Sequence, residues 1–278
     1  RDRNELPSVM NSVIIDHEVL LRLSFFLGIF VSMASWETLS PRRSLSQSKR
    51  VRWANNLGLT LLNTFLLRLV FPVAAAGIAL HAADRGWGLL NGLPLPGLLG
   101  GVLALLFLDL AIYSQHLMFH KVPLLWRLHR MHHTDLDLDV TSGFRFHPLE
   151  ILLSMAIKMG IVVSIGAPAW SVILFEVLLN GTSLFNHANI ALPLQADRLL
   201  RLAIVTPDMH RVHHSVIIRE TDSNFSFNFP WWDRLFGTYR AQPAAGHTKM
   251  ALGLANYRDA KWLRLRWMLA VPFAHLER

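Results

Sequence analysis

The fold is decided by residues 94–133, which read PLPGLLGGVLALLFLDLAIYSQHLMFHKVPLLWRLHRMHH. The first part, Pro94–Tyr113, is apolar except for Asp109 and has the length of about 20 residues that a helix needs to cross a bilayer. The second part carries five histidines: His116, His120, His129, His132 and His133. The stretch predicts a membrane-spanning helix that leads into a histidine-rich segment at one membrane face.

The composition of the whole chain is that of a membrane protein. Hydrophobic residues make up 52% and charged residues 17%, whereas soluble globular chains have about 45–50% and about 25%. A disordered chain and an ordinary soluble enzyme are therefore excluded. Because cysteine is absent, any metal must be bound by His, Asp or Glu. The net charge of +8 fits nucleic acid or an anionic membrane; the apolar excess favours the membrane, and we predict no nucleic-acid partner.

Three further stretches are apolar enough to enter the bilayer. Val19–Leu39 is one span. Leu57–Ala83 contains another, which we place at about Leu66–Ala83, with the residues before it partly interfacial. Ile151–Ala188 is too long for one span and is interrupted at Gly166-Ala167-Pro168, so it predicts a tight helical hairpin.

Basic loop residues indicate the orientation. The loop Pro41–Trp53 carries five Lys or Arg and no acid, whereas Asp84–Gly97 carries one Arg and one Asp. By the positive-inside rule the first loop is cytoplasmic, and so are residues 116–150 and 192–278. The Leu-, Ala- and Arg-rich composition indicates a bacterial cytoplasmic membrane, and the same topology suits the endoplasmic reticulum of a eukaryote. We predict no cleavable signal peptide.

Ten of the fourteen histidines lie between residues 116 and 214. They form an H-x-x-x-H group and two H-x-x-H-H groups: His116 and His120; His129, His132 and His133; His210, His213 and His214. Residues three and four apart share a helix face, so each group presents imidazoles to one point. That number of imidazoles exceeds what one ion binds and predicts two metal ions; zinc, copper, iron and nickel all suit imidazole. We interpret His17, His81, His247 and His275 as ordinary structural histidines.

Asp109 and Tyr113 lie on the same helix face as His116 and His120. An acid within a membrane span is costly and usually functional. We therefore predict that Asp109 and Tyr113 hydrogen-bond ligand imidazoles and set their tautomers; a helix-capping role or a helix–helix contact is the alternative for Asp109. Arg68 either snorkels to the interface or pairs with Asp109.

The C-terminal segment Lys261–Trp267 mixes basic residues with tryptophans. It predicts either an interfacial amphipathic helix or a packed helix with a solvated basic face. Motifs of zincin proteases, hydrolase nucleophile elbows, dinucleotide folds and P-loops are absent from the sequence.

The histidine groups resemble those of the fatty acid hydroxylase / sterol desaturase superfamily of integral-membrane non-haem di-iron enzymes. The resemblance covers roughly Arg52–Tyr239 and is strongest around the groups and at residues 186–192 and 232–239. It implies nine metal ligands: His116, His120, His129, His132, His133, His187, His210, His213 and His214. The residues that we place near the site are Asp109, Tyr113, His147, Asn189 and Asn224. Leu117 and Ser226 depart from the pattern of many relatives, which puts a particular substrate in doubt but touches no expected ligand.

The resemblance implies an oxygen-dependent di-iron oxidoreductase that hydroxylates or desaturates a C–H bond of a lipid, fatty acyl, sterol or related. Its cofactors would be two iron ions, which zinc can replace in recombinant protein, with dioxygen as co-substrate; no catalytic residue beyond the metal centre is expected. The lipid would come from the bilayer and the electrons from a separate reductase, ferredoxin or cytochrome. Two alternatives stay open: a zinc-dependent membrane lipid hydrolase, although no Glu lies within a histidine group, and a non-catalytic metal-binding membrane protein, although its ligands would lie at the membrane midplane.

The predicted architecture is all-α: a bundle of about four transmembrane helices in two hairpins, with a cytoplasmic helical cap that holds a histidine-rich dimetal site. We divide it into four regions. Residues 1–115 form an N-terminal transmembrane region with three spans, residues 116–150 a cytoplasmic histidine segment, residues 151–190 a membrane hairpin, and residues 191–278 a cytoplasmic C-terminal cap with the third histidine group.

Overall fold

A computed structural model describes residues 13–274 of the chain. Our expectations for a signal peptide and for His275 lie outside these residues. The longer helices are α1 (Glu18–Leu39), α2 (Lys49–Val70), α3 (Ala75–Arg85), α4 (Gly97–Lys121), α5 (Pro123–His133), α6 (Pro148–Ile165), α7 (Ala169–His187), α8 (Leu194–Leu200) and α9 (Pro207–His213). The shorter ones are α10 (Ile218–Thr221), α11 (Trp231–Leu235), α12 (Gly246–Lys249), α13 (Leu265–Ala270) and the 3-10 helices Leu90–Gly92, Val140–Phe144, Ala260–Leu263 and Val271–Phe273. Strand pairing in the described residues is limited to isolated bridges, so the predicted all-α class is confirmed.

Four segments of the described chain are long and apolar enough to cross a membrane. They are Glu18–Leu39, Lys49–Gly92, Gly97–Lys121 and Pro148–Ile165. Many of their large apolar side chains point outward, as Val19, Leu61 and Leu98 do. An outer surface of this kind fits lipid rather than water, and the predicted four-span bundle is confirmed.

The second of these segments differs from our prediction of one span at Leu66–Ala83. Helix α2 ends at Val70, and α3 begins only at Ala75. Pro72 explains the interruption, because it has no backbone N–H to donate and disfavours the helical conformation in Phe71.

Helix α7 lies at the centre of the bundle and packs against α1, α3, α4 and α9. Gly101 of α4 allows the ring of Trp170 of α7 to come close, because a Cβ atom at Gly101 would lie 1.9 Å from that ring. The chain turns between α6 and α7 at Gly166, whose φ of +69° favours glycine. The interruption predicted at this glycine is therefore the turn of the hairpin.

A buried ion-pair cluster ties the basic loop before α2 to the histidine-rich segment. Arg52 of α2 is fully buried and binds both oxygens of Asp135, each at 2.9 Å. It also binds Asp139, while Asp137 accepts the backbone N–H of Ser46 at 2.8 Å. The two segments that we predicted to share one membrane side therefore lie together at one end of the bundle.

The C-terminal segment is packed rather than free. Trp262 and Met268 are buried in a cluster with Trp126 and Tyr257, whereas Arg264 and Arg266 are exposed. Of the two interpretations of this segment, the structure matches a packed helix with a basic outer face.

Candidate metal centre

Nine buried histidines in residues 13–274 form two groups at the end of the bundle where α4 and α7 finish. One group is His116, His120, His129, His133 and His213; the other is His132, His187, His210 and His214. In each group, one ring nitrogen from each histidine lies within 4.8 Å of those of the others, and each residue is at most 3% exposed. The structure thus brings together the nine histidines that the resemblance singled out. The prediction that each motif presents its imidazoles to one point was wrong for the two H-x-x-H-H motifs, because the middle histidine of each lies in the other group from its two neighbours.

Helix ends position these histidines. His116 and His120 lie in the last turns of α4, and Pro123 then starts α5, whose last turns carry the second motif. Proline suits the first helical position because its missing N–H has no intrahelical partner there. The third motif follows the same plan, since α9 begins with Pro207 after Thr206, whose hydroxyl accepts the N–H of Met209.

Backbone carbonyls orient four of the nine rings through the Nδ1 atom. The pairs are His116 with Phe225 at 2.7 Å, His132 with Arg145 at 3.2 Å, His187 with Ser183 at 2.7 Å and His213 with Ser223 at 2.8 Å. A carbonyl only accepts hydrogen bonds, so Nδ1 carries the proton and Nε2 keeps its lone pair. The rings are therefore held in the tautomer that binds a metal through Nε2.

The Nε2 atoms face one another at separations that suit a shared cation. Nε2 of His132 and Nε2 of His187 are 3.2 Å apart, although the carbonyl partners leave a lone pair on both. Two lone pairs repel unless a cation lies between them. A zinc ion holds imidazole nitrogens at about 2.0–2.1 Å, which places neighbouring ligand atoms about 3 Å apart. The donor set therefore fits a metal ion.

The fold also favours the protonation state that binds metals. Burial lowers the pKa of His132, His133, His210 and His214 well below 6.5, and repulsion between neighbouring imidazolium charges lowers it further. Neutral imidazole is the ligating form, so these side chains are ready to coordinate near neutral pH.

Two carboxylates contact the candidate ligands, and sequence reasoning missed both. Oε1 of Glu150 accepts a hydrogen bond from Nδ1 of His129 at 2.6 Å. Asp222 lies 3.4 Å from Nδ1 of His120. Each lies more than twenty residues from its histidine in the chain, so no local spacing links them; the only signal for Glu150 was its place in the first turn of a span.

A family model for fatty acid hydroxylases matches residues 101–238, which include all nine of these histidines. The chain belongs to the fatty acid hydroxylase superfamily. Among its relatives is the ornithine lipid hydroxylase OlsE of Rhizobium tropici, 26% identical over 82% of this chain and 69% of that protein. Human alkylglycerol monooxygenase is 29% identical over 55% of this chain and 32% of its own length. Rat cholesterol 25-hydroxylase is 29% identical over 67% of this chain and 61% of its own length. No solved structure matches the chain.

Two residues that we predicted to bond ligand imidazoles have other partners in this hydroxylase-superfamily chain. Asp109 accepts from Nε1 of Trp232 at 2.8 Å, so it pairs neither with a ligand nor with Arg68. Tyr113 bonds the hydroxyl of Thr238 at 3.0 Å. The prediction was wrong because the segment after the third histidine group packs against α4 and supplies the hydrogen-bond partners of both side chains.

The other near-site residues hold the backbone around the centre. His147 caps α6 by accepting the N–H of Leu149 at 3.2 Å and lies outside both groups. Asn189 bonds the backbone of Arg43 through both ends of its amide. Asn224, with φ of 54°, donates to the carbonyl of Met209 at 2.9 Å and follows the residue whose carbonyl orients His213.

Proposed function

We propose that this chain hydroxylates or desaturates a C–H bond of a membrane lipid with two iron ions, dioxygen and external electrons. The observation that carries the proposal is the pair of buried histidine groups beside a cavity of about 350 Å³ between the membrane-spanning helices. His116 and His129 belong to the five-histidine group and also line the cavity. A C–H bond in that cavity would lie next to the metals.

Each histidine group would hold one ion. When bound, the iron pair supplies the redox chemistry that activates dioxygen and breaks an unactivated C–H bond. The protein supplies ligand orientation through the Nδ1 partners, a buried site that excludes water, and a cavity that aligns the lipid. No catalytic side chain beyond the metal ligands is assigned.

The relatives support oxidation rather than hydrolysis. Their names describe a lipid hydroxylase, an alkylglycerol monooxygenase and a cholesterol 25-hydroxylase. A zinc-dependent lipid hydrolase and a non-catalytic metal-binding protein remain outcomes of the test below.

We also propose the orientation and the division into regions. The metal end faces the cytoplasm, where a separate reductase, ferredoxin or cytochrome donates electrons. Of the described residues, 13–115 form the transmembrane region with its loops on both sides, 151–190 form the membrane hairpin, and 116–150 and 191–274 form the cap. Because the chain has no native cysteine, labelling of Ser44→Cys and Asn91→Cys tests this: a membrane-impermeant reagent applied outside should reach only the cysteine at Asn91.

The deciding experiment supplies iron-loaded protein in lipid nanodiscs with a reductant and oxygen-18 gas. Mass spectrometry of the lipids should show a labelled alcohol or a new alkene that requires oxygen and reductant. The His213→Ala variant should form no product, while His81→Ala, an exposed histidine in α3, should match the wild type. Product formation without oxygen would indicate the hydrolase instead.

A further inference from the structure

The cavity beside the metal centre has a charged far end. His116, His129 and Phe146 line it on one side. Arg22 of α1, Lys158 of α6 and Glu176 of α7 also line it. Charged groups among membrane-spanning helices are costly, and when they face a cavity they usually mark the path of a substrate or ion.

Helix geometry places these charges far from the metal centre. Lys158 is eight residues beyond Glu150, the partner of His129. Glu176 precedes His187 by eleven residues on one helix. At about 1.5 Å per residue, the charges lie about 12–16 Å from the centre along the helix axes. The cavity lining is partly apolar and includes Leu67.

The charges form a network without net charge, in which Lys158 has more N–H donors than hydrogen-bond partners. Oε1 of Glu176 accepts a hydrogen bond from Lys158, and Oε2 forms an ion pair with Arg22 at 2.6 Å. Arg22 also binds Glu18 at 2.7 Å, so two cations balance two carboxylates. An ammonium group has three N–H donors. Within the described residues, the hydrogen-bond partner of Lys158 is Glu176. Both oxygens of Glu176 are engaged, so the carboxylate has no free acceptor here, whereas the ammonium group of Lys158 keeps N–H donors.

A second polar atom in the cavity wall points to a ligand. Asn63 of α2 lines the cavity and is 7% exposed. Its amide nitrogen donates to the carbonyl of Phe146 at 2.9 Å. Its Oδ1 atom has no hydrogen-bond partner in the described residues. A buried acceptor without a partner costs free energy. Because Asn63 contacts Phe146 on the metal side, this atom supports a ligand in the cavity but does not bear on the position of the remote oxygen.

We infer that the cavity binds a lipid that carries a neutral oxygen, a hydroxyl or carbonyl, at the end remote from the oxidised carbon, with that oxygen accepting from Lys158. An anionic group would add an unbalanced charge to a neutral, partly buried network. A hydrocarbon end without a polar group would shield the N–H donors from water without accepting a hydrogen bond from them. The inference rests on the proposed function only for the position of the oxidised carbon.

A binding experiment tests the site without turnover. Protein in nanodiscs is titrated with three probes of equal chain length, 1-dodecanol, dodecane and dodecanoate, and binding is read against empty nanodiscs. A hydrogen bond to a charged donor contributes enough to favour dodecanol over dodecane by about tenfold. Lys158→Met should abolish the preference, and Lys158→Gln, which keeps a donor, should retain part of it. Arg68→Met is the matched control, because Arg68 is an exposed cation of α2 outside the cavity lining, and it should keep the full preference.

The outcomes separate the site from the reaction. Equal binding of dodecanol and dodecane by the wild type, tighter binding of dodecanoate, or an unchanged preference in Lys158→Met would overturn the inference. If Lys158→Met does not fold, the three probes on the wild type still decide it. A dodecanol preference without any oxidised product would support the binding site and count against the oxidase. When product forms, oxidation should fall at the end of the chain remote from the hydroxyl.

Discussion

Glu150 and His129 join a membrane-spanning helix to the metal centre. The carboxylate, in the first turn of α6, accepts from Nδ1 of the imidazole at 2.6 Å and is 3% exposed. A carboxylate in this position fixes the ring orientation and raises the basicity of the other ring nitrogen. Glu150 also lines the cavity, so a single residue contacts both the candidate ligand and the space for the lipid.

Replacing this carboxylate should weaken metal binding without unfolding the bundle. Glu150→Gln keeps the size and one acceptor but loses the charge, and changes of this kind generally cost about 10–100-fold in metal affinity or activity. Metal titration of the purified variant measures the effect. Glu220→Gln is the matched control: Glu220 is buried and accepts a backbone N–H at 2.6 Å from Ala244, and its change should leave metal affinity unaltered. Equal effects of the two variants would contradict the role given to Glu150.

The purified protein should hold about two metal ions per chain, because each histidine group has enough nitrogens to complete the usual four-ligand site. His187→Ala removes one of four ligands from the smaller group and should lower the content toward about one ion. His81→Ala should leave it at two, since this exposed side chain lies outside both groups. Elemental analysis checks these values, and a wild type with a single ion would contradict the two-group site.

The eight histidines of the three motifs were predictable because each motif stays within one helix end, where spacing determines which side chains share a face, whereas His187 was implied only by the family resemblance. Hydrogen-bond partners that are distant in sequence were not predictable. Asp109 meets Trp232, more than a hundred residues away, and no helix period relates the two. Nothing in the local pattern separates Glu150 from an ordinary capping acid. Pro72 was visible in the sequence, but the residues around it are apolar and predicted a single span. Hydropathy does not account for the backbone N–H that proline lacks.

The buried Arg52 should be essential for the stability of the cap. Arg52→Met leaves Asp135 and Asp139 buried without their cation, and breaking a buried ion pair in this way costs about 3–5 kcal/mol. Arg52→Lys should also destabilise, because it loses the two-point contact with Asp135. Arg50→Met, at an exposed position two residues away, should change stability by no more than about 0.5 kcal/mol. Thermal unfolding of the three variants in one detergent checks the order.

The imidazole of His247 lies 3.7 Å from the carboxylate of Asp208 and makes the stability of the fold depend on pH. Burial is the main reason why its pKa is lowered to about 4; Asp208 opposes the shift, and Arg211 reinforces it. In the unfolded chain the pKa is about 6.5. Between these two values the unfolded state binds the proton more readily, so this histidine makes the folded state less stable as the pH falls from 6.5 to 4, and has no such effect above 6.5.

Replacing His247 should therefore reduce the acid sensitivity of metal-free protein. In His247→Gln the free energy of unfolding should fall less steeply between pH 6.5 and 4, by up to about one proton or ~1.4 kcal/mol per pH unit. Denaturant titrations at several pH values measure the slope, and the buried histidines of the metal centre contribute equally to wild type and variant. The exposed His81→Gln should keep the wild-type slope. A His247→Gln protein as acid-sensitive as the wild type would show that this side chain is not held neutral by its buried position.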